Sequence, residues 1–174
     1  MFKVANVPYE DININREEHL DAIKSETPLG TLPILEVDGV KLSGQTAVCR
    51  HLAWRFGLSG ETAVSDSLLD MFADLLLEAQ VLLFGSTDGD NDSIANFVTD
   101  DTELEKVCNR VAAIIDKQLT DNNTSYLVGE KITWVDLMTY TFFNSLADRG
   151  KNTYLDRYPS TKQMYDRISQ LVTN

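Results

Sequence analysis

TPLGTLPILEVDGVKL, residues 27–42, sets a proline at the head of a strand-like run and an Asp-Gly pair in its middle. Two short apolar runs, residues 33–37 and 40–42, flank Asp38 and Gly39. A two-residue Asp-Gly link is the strongest short hairpin signal, because both turn positions need positive φ. Residues 33–42 are therefore expected to form a hairpin. Pro33 donates no backbone hydrogen bond, so its place at the start of a strand calls for a reason other than pairing.

Downstream, QTAVCRHLAWRFG (45–57) spaces Val48, Leu52 and Phe56 four residues apart and ends on Gly57, a pattern that predicts an amphipathic helix closed by a C′ glycine. Upstream, VPYEDININ (7–15) alternates side chains as an ambiguous strand, and REEHLDAIKSE (16–26) reads as a short helix or irregular segment. Glycine, serine and acid cluster in GLSGETA (57–63), the expected boundary between residues 1–58 and a unit spanning 64–174.

Everything beyond it reads helical. Residues 65–84 carry Leu68, Leu69, Phe72, Leu75, Leu76, Leu82 and Leu83, and residues 101–120 carry Leu104, Val107, Val111, Ile114, Ile115 and Leu119, both at helical spacing. STDGDNDS (86–93) is expected as a loop. In KITWVDL (131–137) Thr133 and Asp136 form a capping box with Asp in place of the commoner Glu, and Ile132 and Leu137 occupy the staple positions. A last helix is expected over about residues 159–171, with Met164, Ile168 and Leu171 inward.

The chain has 174 residues, of which 43% are apolar, enough for a real core. A formal charge of −12 repels nucleic-acid backbones and anionic membrane surfaces, which argues against either as partner. No apolar run reaches the length of a membrane span and no leader pattern opens the chain, so a cytoplasmic location is expected. Without secretion, the N-x-S/T matches at Asn91, Asn122 and Asn123 carry no meaning as glycosylation sites. Cys49 and Cys108 sit in apolar segments away from any metal-like spacing and read as small buried hydrophobes. With only His19 and His51 besides, no metal site is expected. DGDNDS opens like a calcium loop but has Ser93 where glycine is needed and Thr99 where glutamate is needed. Asp66, Asp70, Asp74 and Glu78 recur at every fourth position, a like-charge stripe that costs a few tenths of a kcal/mol per pair unless something compensates.

Three stretches, VPYED, TPLGTLPILEVDGVKL and YLVGEKITWVDL, resemble the cytosolic glutathione transferases across essentially the whole chain. The wording P-x-G-x-L-P-I-L-E-V-D-G is most similar to the sigma class, which includes many invertebrate enzymes and the cephalopod S-crystallins. The resemblance implies an α/β plus all-α architecture: a thioredoxin-like N-terminal unit followed by an all-helical C-terminal domain. It also implies attack of glutathione thiolate on a hydrophobic electrophile, with glutathione as co-substrate, no metal or redox cofactor, and a homodimer.

Carried over residue by residue, the resemblance implies a cis Leu32–Pro33 bond that turns the backbone of Leu32 outward to pair with the cysteine moiety of glutathione. Lys24 matches the position that binds the glycine carboxylate. The pair that holds the γ-glutamyl carboxylate falls on Gly44-Gln45 without a gap or on Gln45-Thr46 after a one-residue shift. Asp74 matches the aspartate that reaches across the dimer to the γ-glutamyl amine. A neighbouring tryptophan position falls on Leu20, which can donate nothing.

In the family a first strand and most of a first helix precede the segment written here FKVANVPYEDI, and that strand carries the tyrosine that stabilises the thiolate. The expectation is a thioredoxin-like unit lacking its first strand, with no catalytic residue assigned. Non-catalytic binding or a structural role, as in the S-crystallins, is the alternative function.

Overall fold

The computed structural model describes residues 1–12, 25, 27–30, 32–84, 101–148 and 153–173. The segment 16–26, Ser25 apart, and the expected loop 86–93 lie outside the described residues. Strands β1 (Ile34–Val37) and β2 (Val40–Ser43) pair antiparallel, with Ile34 opposite Ser43 and Val37 opposite Val40. Asp38 and Gly39 have φ of 50° and 79°, the two positive values of a type I′ turn. The hairpin is the one the sequence predicts. Residues 7–12 join no strand, so among the described residues the sheet has two strands.

Helix α1 (Gln45–Phe56) follows β2 directly, and Gly57 closes it in the left-handed conformation at φ 68°. The chain then runs through α2 (Ala63–Phe84), α3 (Asp101–Asn122), α4 (Trp134–Ala147), a 3-10 turn (Thr153–Arg157) and α5 (Pro159–Thr173). Helix α4 packs against α2 and α5, and α3 packs against the same two, so the four helices enclose one core. Leu69, Leu76 and Leu83 from α2, Leu104 and Ile115 from α3, Phe142 from α4 and Ile168 from α5 are fully buried there. Each such side chain contributes about 1.5–3 kcal/mol relative to exposure.

The start of α4 is the densest polar point of this core. The Asp136 carboxylate accepts the Thr133 N–H at 2.7 Å and the Thr133 hydroxyl at 2.6 Å through Oδ2, and the Leu127 N–H at 2.9 Å through Oδ1. The capping box is thus present, with a third donor that the local pattern does not contain. Burial pushes the Asp136 carboxyl above its usual value, against these three hydrogen bonds that favour the anion. The next free donor of α4, the Trp134 N–H, is taken by the Leu58 carbonyl at 3.0 Å. Because Leu58 itself is held by an N–H bond to Ala53 at 2.8 Å, the end of α1 is tied to the head of α4.

Three sequence expectations shift. Leu171 is exposed, and Val172 packs on the core instead, because Thr161 is buried and turns the inward face of α5 toward its own side. Leu68, Leu82 and Ile114 lie at the edges of their apolar stripes and are exposed. Cys108 is buried as predicted, whereas Cys49 is only partly so.

Candidate functional site

The Leu32–Pro33 peptide bond is cis, as the sequence resemblance implies. The strand register that sets Ile34 opposite Ser43 brings Leu32 and Pro33 to the open end of the hairpin, beside Gly44 and the start of α1. Gly44 is the N-cap of that helix at φ 90° and ψ 128°, a conformation that favours glycine. It supplies no side-chain cap, and no acid sits in the first helical turn. The amides of Gln45, Thr46 and Ala47 are therefore left without helical acceptors, at the positive end of a helix dipole. Such a terminus suits a carboxylate. Gln45 and Thr46 are the first two helical residues, half-buried beside the hairpin end. Lys24 lies outside the described residues.

The acidic stripe on α2 finds most of its compensation inside the chain. Asp66 accepts the Gly60 N–H at 2.7 Å, Asp70 accepts Nε of Arg50 at 2.7 Å, and Glu78 accepts from Arg110 at 3.0 Å. The Arg50–Asp70 contact is bidentate, with a second guanidinium nitrogen on Oδ2, and it holds the Arg50 guanidinium above its usual pKa. Asp74 is exposed and has no hydrogen-bond or ion-pair partner among the described residues. Of the four acids it alone remains to meet something else.

Arg50 was not singled out from the sequence. The signal available was the stripe itself, whose repulsion requires cations nearby. Arg50 and Asp70 sit on the wall of a cleft of about 480 Å³, together with Trp54, Asp66 and Trp134. Thr46 lies one turn before Arg50 on α1, and Asp74 lies one turn after Asp70 on α2.

A larger groove of about 1150 Å³ lies along β1, with Leu32, Pro33 and Ile34 on one wall and Pro8, Tyr9 and Ile12 on another. Val48, Leu52 and Phe56 of α1 line it as well. Tyr9 is exposed and stacks on Phe2 with ring centroids 5.0 Å apart. Phe2 in turn meets Phe56 edge-on at 5.4 Å, which fixes the N-terminal segment to α1.

Two family descriptions match the chain, "Glutathione S-transferase, N-terminal domain" over residues 1–61 and "Glutathione S-transferase, C-terminal domain" over residues 89–172. Glutathione S-transferase 4 of Caenorhabditis elegans is 32% identical over 180 residues, spanning 98% of this chain and 83% of that protein. The chain belongs to the glutathione S-transferase family.

Among solved glutathione S-transferases, the Nu-class protein of Haemonchus contortus superimposes with a TM-score of 0.80 at 26% identity, covering 99% of this chain and 84% of that one. A Necator americanus glutathione S-transferase described as monomeric gives a TM-score of 0.76 at 25% identity, covering 99% of this chain and 85% of that one. The fold is the glutathione-transferase fold: a short thioredoxin-like sheet followed by a helical C-terminal domain. No helix among the described residues is long and apolar enough to cross a membrane.

Proposed function

We propose that this glutathione S-transferase is sigma-like, with units 1–58 and 64–174, and conjugates glutathione to hydrophobic electrophiles as a cytoplasmic detoxifying enzyme. The observation that carries the reading is the uncapped, acid-free N-terminus of α1 at the hairpin end that also holds Leu32 and Pro33. The backbone of Leu32 pairs with the cysteine moiety, and the first turn of α1, through Gln45 and Thr46, holds the γ-glutamyl carboxylate. Lys24 takes the glycine carboxylate. In the homodimer Asp74, the uncompensated acid of the stripe, reaches the γ-glutamyl amine of glutathione held on the other subunit. Exposed Val64, Leu68, Met71 and Leu82 follow one another along α2 and support a dimer through that helix.

A specific observation favours a second reading, binding without catalysis. A glutathione thiol needs a hydrogen-bond donor to be nucleophilic at neutral pH, since free thiols titrate at about 8.5. Tyr9, on the wall of the groove beside Leu32 and Pro33, is committed to a stack on Phe2 with ring centroids 5.0 Å apart.

Titration calorimetry with glutathione, run beside a conjugation assay with chlorodinitrobenzene, decides between them. Saturable heat with saturable turnover supports the enzyme. Heat without turnover supports the second reading. Absence of heat for the wild type, or equal heat for the Gln45→Ala/Thr46→Ala double variant, overturns the site.

A further inference from the structure

Tyr140 on α4 and Tyr165 on α5 meet where these two helices pack, with ring centroids 5.2 Å apart and planes tilted by 30°. Both hydroxyls donate to one acceptor: Asn144 Oδ1 takes Tyr165 at 3.1 Å and Tyr140 at 3.4 Å. The Asn144 amide in turn donates to the Asp148 carboxylate at 3.2 Å, at the end of α4. Two half-buried phenols are thereby held ring to ring, each within reach of solvent. Tyr126 and Tyr9 are kept differently. Tyr126 carries the Arg167 guanidinium 4.8 Å from its ring centroid, and Tyr9 stacks on Phe2. A cation opposes electron loss from the first, and phenylalanine offers the second no phenol to couple with. Around Tyr165 the field has the opposite sign. Burial, then Tyr140, Asp148 and Asp166, hold its hydroxyl above the usual pKa, so the phenol stays neutral at neutral pH while the same carboxylates favour withdrawal of an electron.

We propose that Tyr140 and Tyr165 form an oxidation site, at which a peroxide, acting through one-electron steps, joins the two rings as dityrosine and staples α4 to α5. Each phenol gives up one electron and its hydroxyl proton, and each phenoxyl radical shares its unpaired density with the carbons ortho to oxygen. One ortho carbon of each ring then bonds to the other. Each of these carbons sheds its hydrogen as a proton and each oxygen regains one, so the net loss is two electrons and two protons. Hydrogen peroxide takes up both and leaves as two waters. Holding the rings together makes the coupling intramolecular, which favours it over coupling between molecules. The new bond closes the chain between α4 and α5 into a loop, removes conformations from the unfolded state and so stabilises the helical core. This inference stands apart from the glutathione reading, since it uses neither the start of α1 nor Asp74.

The test exposes the full chain to light-generated ruthenium(III) with persulfate, a peroxide that accepts two electrons to become two sulfates. Trypsin then releases Tyr140 on residues 132–149 and Tyr165 on residues 163–167. Mass spectrometry of the monomer band is expected to find these two peptides joined and lighter by two hydrogens than their sum, with a yield that does not fall on tenfold dilution of the protein. Tyr140→Phe and Tyr165→Phe keep the ring in place and are each expected to abolish the joined pair. Oxidation of the wild type in urea, where the rings part, bypasses any folding defect in a variant and is expected to lower the yield at least tenfold. The joined monomer is expected to unfold at a higher urea concentration than the untreated chain. Absence of the joined pair from the native wild type, its formation only between molecules, an equal yield in urea, or a urea midpoint that the bond does not raise overturns the proposal.

Discussion

The carboxylate of Asp136 accepts the backbone N–H of Leu127, nine residues earlier, while also closing the capping box on Thr133. One buried side chain therefore joins the loop before α4 to the first turn of α4. Asp136→Ala leaves two buried N–H groups without acceptors and is expected to cost about 3 kcal/mol by urea unfolding. Thr133→Ala retains the carboxylate's bonds to both amides and should cost about 1 kcal/mol. Equal losses for the two variants would remove the bridging role assigned to Asp136.

The stripe on α2 separates a paired acid from an unpaired one. Asp70→Asn removes the bidentate partner of the partly exposed Arg50 and should destabilise by up to about 1 kcal/mol. Asp74→Asn relieves like-charge repulsion with no partner lost, so it should leave stability unchanged or raise it by a few tenths of a kcal/mol. Thermal unfolding of both variants without ligand checks the contrast.

Helix α5 has a sharp inside and outside near its end. Ile168 is fully buried, so Ile168→Ala is expected to cost about 2–5 kcal/mol. Leu171 is 50% exposed, and Leu171→Ala should change stability by no more than about 0.5 kcal/mol. Denaturant midpoints at constant m-value measure the difference.

Burial pushes the Cys108 thiol up to about 11. The folded pKa exceeds the unfolded value of about 8.5, so the folded state holds the proton more tightly. Stability from this group is fully present below the unfolded value and is lost as pH rises toward the folded one. Cys108→Ala should flatten the alkaline side of the stability curve between about pH 8.5 and 11, relative to wild type. In the folded protein at neutral pH, a disulfide reagent should leave Cys108 unmodified until denaturant is added.

The hairpin was legible because Asp38-Gly39 admits few backbone solutions, and the start of α4 was legible because Thr133 and Asp136 are three residues apart. Long-range partners were not. Arg50 lies 20 residues from Asp70 and Arg110 lies 32 from Glu78, so the stripe announced a need for cations without saying which. Leu171 was misread because spacing from Met164 and Ile168 fixes a face only to within a residue. The buried Thr161, whose N–H binds Asp116 at 3.0 Å, sets where that face is centred. Of the candidate site, the cis bond followed from resemblance alone, while the Gly44 cap required φ angles that no periodicity contains.

The two tryptophans occupy opposite surroundings: Trp54 on α1 is 77% exposed, and Trp134 at the head of α4 is 3% exposed. Their fluorescence should separate accordingly, into a red-shifted component quenched by iodide and a blue-shifted component that iodide does not reach. The first registers whatever settles against the outer face of α1, and the second registers melting of the helical core. The protein thus carries its own pair of spectroscopic reporters, and no dye is needed to distinguish docking from unfolding.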